Sequence, residues 1–305
     1  MAIPNFQNFL LPLLLIIDDG QEHNRAEARD ALAQQFNLTE QDKSELLPSG
    51  RQERFDNRVA WAKAYLKMAG LLENTSKGKF RITSRGVDVL RDKPSQIDVK
   101  FLMQFPEFVA SRNGTSRQST SIIDNNSIGG EHDQTPEESL ESSYQNLRRT
   151  LAKDLLDRVK QAPPRFFEML VIDLLVAMGY GGSRKDAGEA VGQNGDGGID
   201  GIIKEDKLGL DVIYIQAKRW DSTVGRPLIQ AFAGSLEGQR SRKGVFITTS
   251  QFSQEARDYV SRIEKKIVLI DGEQLSQLMI DHGIGVAETA NYVVKRIDQD
   301  YFGEE

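Results

Sequence analysis

The sequence predicts an α/β protein, a mixed sheet flanked by helices and preceded by a mainly helical module. Three observations predict it. Apolar strand-length runs alternate with helix-length amphipathic runs between residues 163 and 270. Residues 1–93 hold four helix-like segments and only two short strand-like runs. Residues 111–143, SRNGTSRQSTSIIDNNSIGGEHDQTPEESLESS, contain no aromatic residue and 8 Ser, a composition that buries too little to offset its ordering entropy. The chain therefore divides into a module at 1–93, a partly disordered linker at 94–143 and a module at 144–305, and 305 residues suit two domains.

Composition narrows the function. With 39% hydrophobic and 28% charged residues the chain is globular. It has no Cys, which excludes disulfides, thiolate zinc sites and a Cys nucleophile, and only 3 widely separated His. The longest apolar run, Phe9 to Ile17, is broken by Pro12 and falls short of the roughly 20 residues a membrane helix needs. It lacks the marks of a secretory leader. A cytoplasmic protein without a membrane partner is expected. The net charge of −6 is unevenly spread. Residues 51–93 carry 11 basic and 5 acidic side chains, whereas the segments on either side are acidic. That local excess is the footprint a phosphate backbone attracts.

In the first module, residues 5–17 predict an apolar helix and 25–36 a second, with Ala28, Ala31, Leu32 and Phe36 near one face. Residues 55–69 predict a third, with Val59, Ala62, Leu66 and Ala69 inward and Arg58, Lys63 and Lys67 away from them. Gly70 suits the helix stop. Leu71–Leu72 and Phe80–Thr83 then flank a basic turn, and a short helix follows at 84–91. Three helices and a basic hairpin are the order of a winged helix, whose third helix can enter a major groove. On that reading Arg51, Arg54, Arg58, Lys63, Lys77, Lys79 and Arg81 contact DNA; otherwise they are a solvated charged face.

In the second module, Pro163-Pro164 opens a helix that Gly179 closes, with Leu170, Val171, Leu174, Leu175 and Met178 at helical spacing. Glu168 lies among apolar neighbours. It either meets the helix dipole from the first turn or needs a cationic partner. Residues 195–204 turn into a strand, and 211–219 form the next. Side chains alternate along a strand, so Val212, Tyr214, Gln216 and Lys218 share one side. Asp200 then lies beside Gln216 and Lys218. Helix 226–238, strand 244–249, helix 253–263 capped by Ser253, and strand 267–270 complete a mixed sheet.

An acid, an amide and an amine at one hairpin end have a chemical use. A carboxylate and a carbonyl oxygen can hold Mg²⁺, a bound cation acidifies water and neutralises a phosphodiester, and a lysine can stabilise the developing charge. The competing reading is a turn-capping Asp beside a surface Lys. The glycines at 195–201 precede a strand rather than a helix, so they lack the geometry of a nucleotide-binding loop.

Several motifs occur in order: Phe167-Glu168, LLVAMGY at 174–180, GDGGIDG at 195–201, YIQAKRW at 214–220, VGRP at 224–227, KGVFITTSQFS at 243–253 and IDG at 270–272. The chain thereby resembles the Mrr-type restriction endonucleases, of the PD-(D/E)xK nuclease superfamily, across about 160–290. Its first module resembles their winged-helix domain. The resemblance implies a restriction-endonuclease-like fold and an Mg²⁺-dependent endonuclease acting on modified, typically methylated, double-stranded DNA. It implies Asp200 as the principal metal-binding acid, Lys218 as the catalytic lysine, Gln216 where related nucleases carry Glu or Asp, and Glu168 as the acid completing the site. Asp196 is an accessory acid or a turn residue, and Gln230 reaches the site or packs its helix. Cutting both strands with one site per chain favours a homo-oligomer. The alternative is a DNA-binding winged-helix protein whose nuclease-like domain serves oligomerisation or sensing.

Overall fold

A computed structural model describes residues 2–76, 78–113, 133–181, 199–206, 210–295 and 297. Lys77, Asp196, most of the glycine turn at 195–198 and the linker residues 114–132 lie outside the described residues. The chain forms two compact units, one of residues 1–145 with 294–305, the other of residues 146–293.

The first unit begins with a 3-10 turn, Phe6–Phe9, capped by the Asn5 side chain, which accepts from the Asn8 amide. Helix α1 (Leu10–Ile16) follows. One continuous helix over 5–17 is not formed, because the Pro12 ring would collide with the carbonyl four residues earlier in an unbroken α-helix. Strand β1 (His23–Asn24) and helices α2 (Arg25–Gln35), α3 (Glu40–Lys43) and α4 (Arg54–Met68) come next. Asn24 and Glu27 cap α2 reciprocally, as Thr39 and Asp42 cap α3. Helix α4 buries Phe55, Val59, Ala62 and Leu66 at helical spacing. Gly70, at φ +69°, turns the chain into the hairpin. Strands β2 (Leu72–Asn74) and β3 (Lys79–Ile82) pair antiparallel, β1 adds to β3, and the sheet order is β1-β3-β2. Helix α5 (Ser84–Arg91) follows the hairpin.

The unit does not end at residue 93. Helices α6 (Val99–Leu102) and α7 (Pro106–Asn113) lie within 94–143, and Ile97, Val99, Leu102 and Phe108 are buried in the same core as Phe9, Phe55 and Leu66. Their apolar spacing is too short to announce a helix, yet it fills one side of this core. Helix α8 (Pro136–Gln161) starts inside the expected linker. Thr135 and Glu138 cap it reciprocally: the Thr135 amide donates to Glu138 Oε2 at 3.0 Å and the Glu138 amide to Thr135 Oγ1 at 3.3 Å. The boundary between the units falls within this helix.

In the second unit, α9 (Pro164–Ala177) is followed by strands β4 (Gly201–Lys204) and β5 (Val212–Lys218), helix α10 (Arg226–Gly238), β6 (Lys243–Thr248), α11 (Gln254–Arg262), β7 (Lys266–Ile270) and α12 (Gly272–Asp281). The sheet order is β4-β5-β6-β7, with β4 antiparallel to β5 and the remaining pairs parallel. This is the mixed sheet read from the sequence. Both faces are covered, so its strands are apolar on both sides. Ile203, Ile213, Ile215 and Ile247 meet the last turns of α8, and α9 and α12, through Leu155, Leu170, Leu174 and Leu275. Tyr214, Phe246 and Ile267 meet α10 and α11 through Ile229, Phe232, Leu236 and Ala256. Phe232 stands edge-on to Phe246 at 5.6 Å between centroids. A Cβ on Gly244 would lie 2.8 Å from the Phe232 ring, so glycine lets α10 approach β6.

Candidate active site

The antiparallel register sets Gly201 opposite Ile215 and Ile202 opposite Tyr214. Just before this ladder, the Asp200 amide donates to the Ile215 carbonyl at 2.8 Å. Side chains alternate along β5, so Gln216 and Lys218 lie on one side of it. Lys218 Nζ is 3.5 Å from Asp200 Oδ2. The same oxygen accepts from the Ala217 amide at 2.8 Å, tying the start of β4 to the end of β5. Both charged side chains keep about a quarter of their surface in solvent. Gln216 is 7% exposed, and its side-chain amide makes no hydrogen bond to another described residue.

Glu168 comes from the other layer. Helix α9 crosses β4 and β5, and the Ile172 Cδ1 atom would lie 3.4 Å from a Cβ on Gly201. Leu175, Met178 and Tyr180 lie by Ile213, toward the opposite end of β5. The first turn of α9 therefore lies toward the end of the sheet that carries Asp200 and Lys218. Glu168, one turn before Ile172, shares its helix face. It is half-buried and forms no ion pair among the described residues. Gln230 lies on α10 and borders a groove with Tyr259 and Glu237.

Two buried threonines support the cluster, and neither is singled out by sequence pattern. Thr248 Oγ1 donates to the Lys218 carbonyl at 2.8 Å, and Thr249 Oγ1 to the Trp220 carbonyl at 2.8 Å. Arg219 reaches the Lys160 carbonyl at the end of α8. The backbone of 218–220 is thus held from β6 and from α8. The only sequence signal was the run ITTS at 247–250, where polar residues end an apolar strand. A polar cleft of about 510 Å³ opens beyond β5 and β6, bordered by Lys160, Asp221, Thr249 and Ser250. Asp200, Gln216 and Lys218 do not border it. They sit where edge strand β4 starts and the neighbouring β5 ends.

The oxygens at that edge fit a hard divalent cation. Asp200 offers the carboxylate oxygen not committed to Ala217, and Gln216, largely buried, offers an amide carbonyl without a hydrogen bond among the described residues. Among the described residues no three His, Cys, Asp or Glu side chains cluster as a ready-made metal site.

The seven basic candidates of the first unit fare differently. Arg58 is not a free groove-facing cation. Its guanidinium donates to the Ile3 and Pro4 carbonyls at 2.6 and 2.8 Å and pairs with buried Glu138 at 2.8 Å. The α8 start, expected to be linker, folds over this side of α4 and consumes it. Arg54 pairs with Glu45 at 2.5 Å. Lys63 lies over the Phe80 ring, 4.2 Å from its centroid. Burial, with Arg25 and Lys67 nearby, pushes its amine below the ordinary lysine value. On the wing, Arg81 pairs with Glu73 at 2.8 Å and Lys79 with Glu22 at 3.4 Å, both remaining half exposed. Arg51 is exposed and makes no ion pair among the described residues.

Comparison with known proteins agrees with this architecture. Residues 159–279 match the restriction endonuclease family model for the Mrr catalytic domain, and residues 6–92 match the Mrr N-terminal domain. The chain is 37% identical over 307 residues to the type IV methyl-directed restriction enzyme EcoKMrr of Escherichia coli K12, covering 99% of this chain and 100% of that protein. The chain belongs to the Mrr family of restriction endonucleases. A solved structure of the MspJI restriction endonuclease with a 27-mer oligonucleotide has a TM-score of 0.27 and 15% identity, covering 66% of this chain and 47% of that one. As an Mrr protein the chain is a DNA endonuclease of a restriction system, and catalytic domains of this kind generally use divalent metal ions. Among the described residues no helix is long and apolar enough to cross a membrane.

Proposed function

We propose that this chain restricts modified, chiefly methylated, double-stranded DNA in the cytoplasm, and that it hydrolyses phosphodiesters at the Asp200–Gln216–Lys218 edge with Mg²⁺. The observation that carries the site assignment is the 3.5 Å approach of Lys218 to Asp200 beside a strand in which Gln216 is buried. The methyl dependence rests on likeness to the E. coli methyl-directed enzyme. Asp200, the Gln216 carbonyl and Glu168 would hold the cation, which supplies Lewis acidity toward water and the phosphodiester.

The chain's own residues do the rest. Asp200 draws the Lys218 ammonium to the sheet edge, and Thr248 fixes the backbone that carries it. The ammonium, still partly in solvent, can meet a non-bridging phosphate oxygen and stabilise negative charge as it develops. Recognition falls to the first unit, where Arg51, Lys79, Arg81 and Lys77 offer charge for phosphate contact. In the domain assignment that follows, the winged helix reads DNA and the second unit cuts it.

The test is cleavage of methylated against unmethylated plasmid, with Mg²⁺ and with chelator. Cleavage of the methylated plasmid alone, abolished by chelation, is expected. Equal cutting of both plasmids would remove the modification dependence. Binding without scission under any divalent metal would favour a DNA-binding protein with an inert nuclease-like domain.

A further inference from the structure

The polar cleft beyond β5 and β6 takes no part in the chemistry assigned to Asp200, Gln216 and Lys218, and all of its lining belongs to the second unit. Its place follows from the topology. Helix α11, which leaves β6, packs on one face of the sheet, and α12, which leaves β7, packs on the other. Parallel strands whose connections part in this way open a crevice outside their carboxyl ends, where open α/β sheets bind ligands. Here the crevice holds about 510 Å³, within the range of ligand pockets.

The walls of the cleft are fixed in advance. The Gly272 amide donates to the Ser250 carbonyl and the Val224 amide to the Gln251 carbonyl, both at 2.8 Å. Arg257 on α11 pairs with Asp271, the cap of α12, at 2.7 Å. A further wall is the backbone that leaves Lys218. Ser250 Oγ donates to the Asp221 carbonyl at 3.1 Å, beside the Thr249 bond to Trp220. The strand end that carries Lys218 therefore borders the cleft at Asp221.

The lining chemistry narrows the ligand. Arg257 and Asp271 answer each other, which leaves Lys160 among Asp221 and Glu273. That balance rejects a cluster of phosphates and admits one. Lys160 can meet it, because its partner Asp221 is 3.9 Å away and 90% exposed, a pair too solvated to hold the ammonium firmly. Asp221, Thr223, Ser250 and Gln251 add carboxylate, hydroxyl and amide groups, the kinds of side chain that read base edges.

On the nuclease reading, we propose that this cleft seats one nucleotide of the DNA strand whose scissile phosphate lies at Lys218, with Lys160 on a phosphate and the loop at 221–223 against the base. The second unit then has its own hold on DNA. A phosphate contact fixes register, and here it fixes the cut strand against Lys218.

Two measurements on the full chain test the subsite, with methylated duplex and chelator so that nothing is cut. Removing one phosphate contact lowers the slope of log affinity against log salt by about 0.9. Lys160→Ala should show that loss with an unchanged thermal melt, and Lys160→Arg should restore the slope. The chain has no Cys, so Thr223→Cys supplies a single thiol at the cleft, and Ser261→Cys, at the far end of α11, a control. With duplex at about ten times its Kd, mass action should slow maleimide alkylation of Thr223→Cys roughly tenfold and leave Ser261→Cys unchanged. Heparin, a polyanion without bases, should protect neither. An unchanged salt slope for Lys160→Ala, or a Thr223→Cys thiol alkylated equally fast with and without duplex, would overturn the subsite and leave the nuclease reading standing. Equal protection by heparin would overturn the base contact. A wild type that binds no duplex would overturn both readings together.

Discussion

Asp200 holds two different things with one oxygen, and two substitutions separate them. Oδ2 accepts from the Ala217 amide at 2.8 Å and faces Lys218 Nζ at 3.5 Å. Asp200→Asn keeps an acceptor in that position and removes the charge. Asp200→Ala removes both and leaves a part-buried N–H without a partner. An unmade hydrogen bond of this kind costs about 1–3 kcal/mol, or roughly 2–12 °C of melting temperature for a unit of this size. The asparagine variant should melt close to the wild type. Losing the charge should cost cleavage about 10²–10³-fold, the scale for deleting one preorganised electrostatic group. The assay pairs nicking of a methylated supercoiled plasmid with thermal melts of both variants. If Asp200→Asn cuts within tenfold of wild type, the charge is idle. If Asp200→Ala is as stable as Asp200→Asn, the Ala217 bond is idle.

Three further outcomes follow from particular contacts. Gln216→Glu should tighten Mg²⁺ binding by calorimetry, because it adds a formal charge where a neutral carbonyl now stands; unchanged or weaker affinity would count against Gln216 as a ligand. Arg58→Ala should destabilise the first unit by about 3–5 kcal/mol, since it leaves Glu138 buried without its counter-charge. Restoration of stability in the Arg58→Met, Glu138→Leu double variant would attribute the loss to the stranded charge. The Thr39 hydroxyl and amide hold the Asp42 carboxyl down to about 2. The stability that Asp42 contributes is therefore full above its ordinary value near 3.8 and falls away as pH drops toward 2. Acid titration of Asp42→Asn should lack that component, and identical titrations would disprove it.

The sequence by itself determined the local elements and the chemistry they carry. Helix α10 at 226–238, the Ser253 cap of α11 and the strand pair around Asp200 follow from short-range pattern, because periodicity and capping act within a few residues. The shared face of Gln216 and Lys218 follows from strand alternation alone, and Gly70 ends its helix for an equally local reason. The TPEE start of α8 carried a readable capping signal that its Ser- and Glu-rich surroundings disguised. What only the tertiary structure decided were the long-range pairings. Arg58 looked like a groove-facing cation until Glu138, 80 residues on, met it. Ile97, Val99 and Phe108 looked like linker until the core of the upstream helices and hairpin covered them. Thr248 gained its role only when β6 came to lie parallel to β5. Periodicity shows which face of an element is apolar. Which partner covers that face, and which charge answers a buried charge, depends on contacts that no window of neighbouring residues contains.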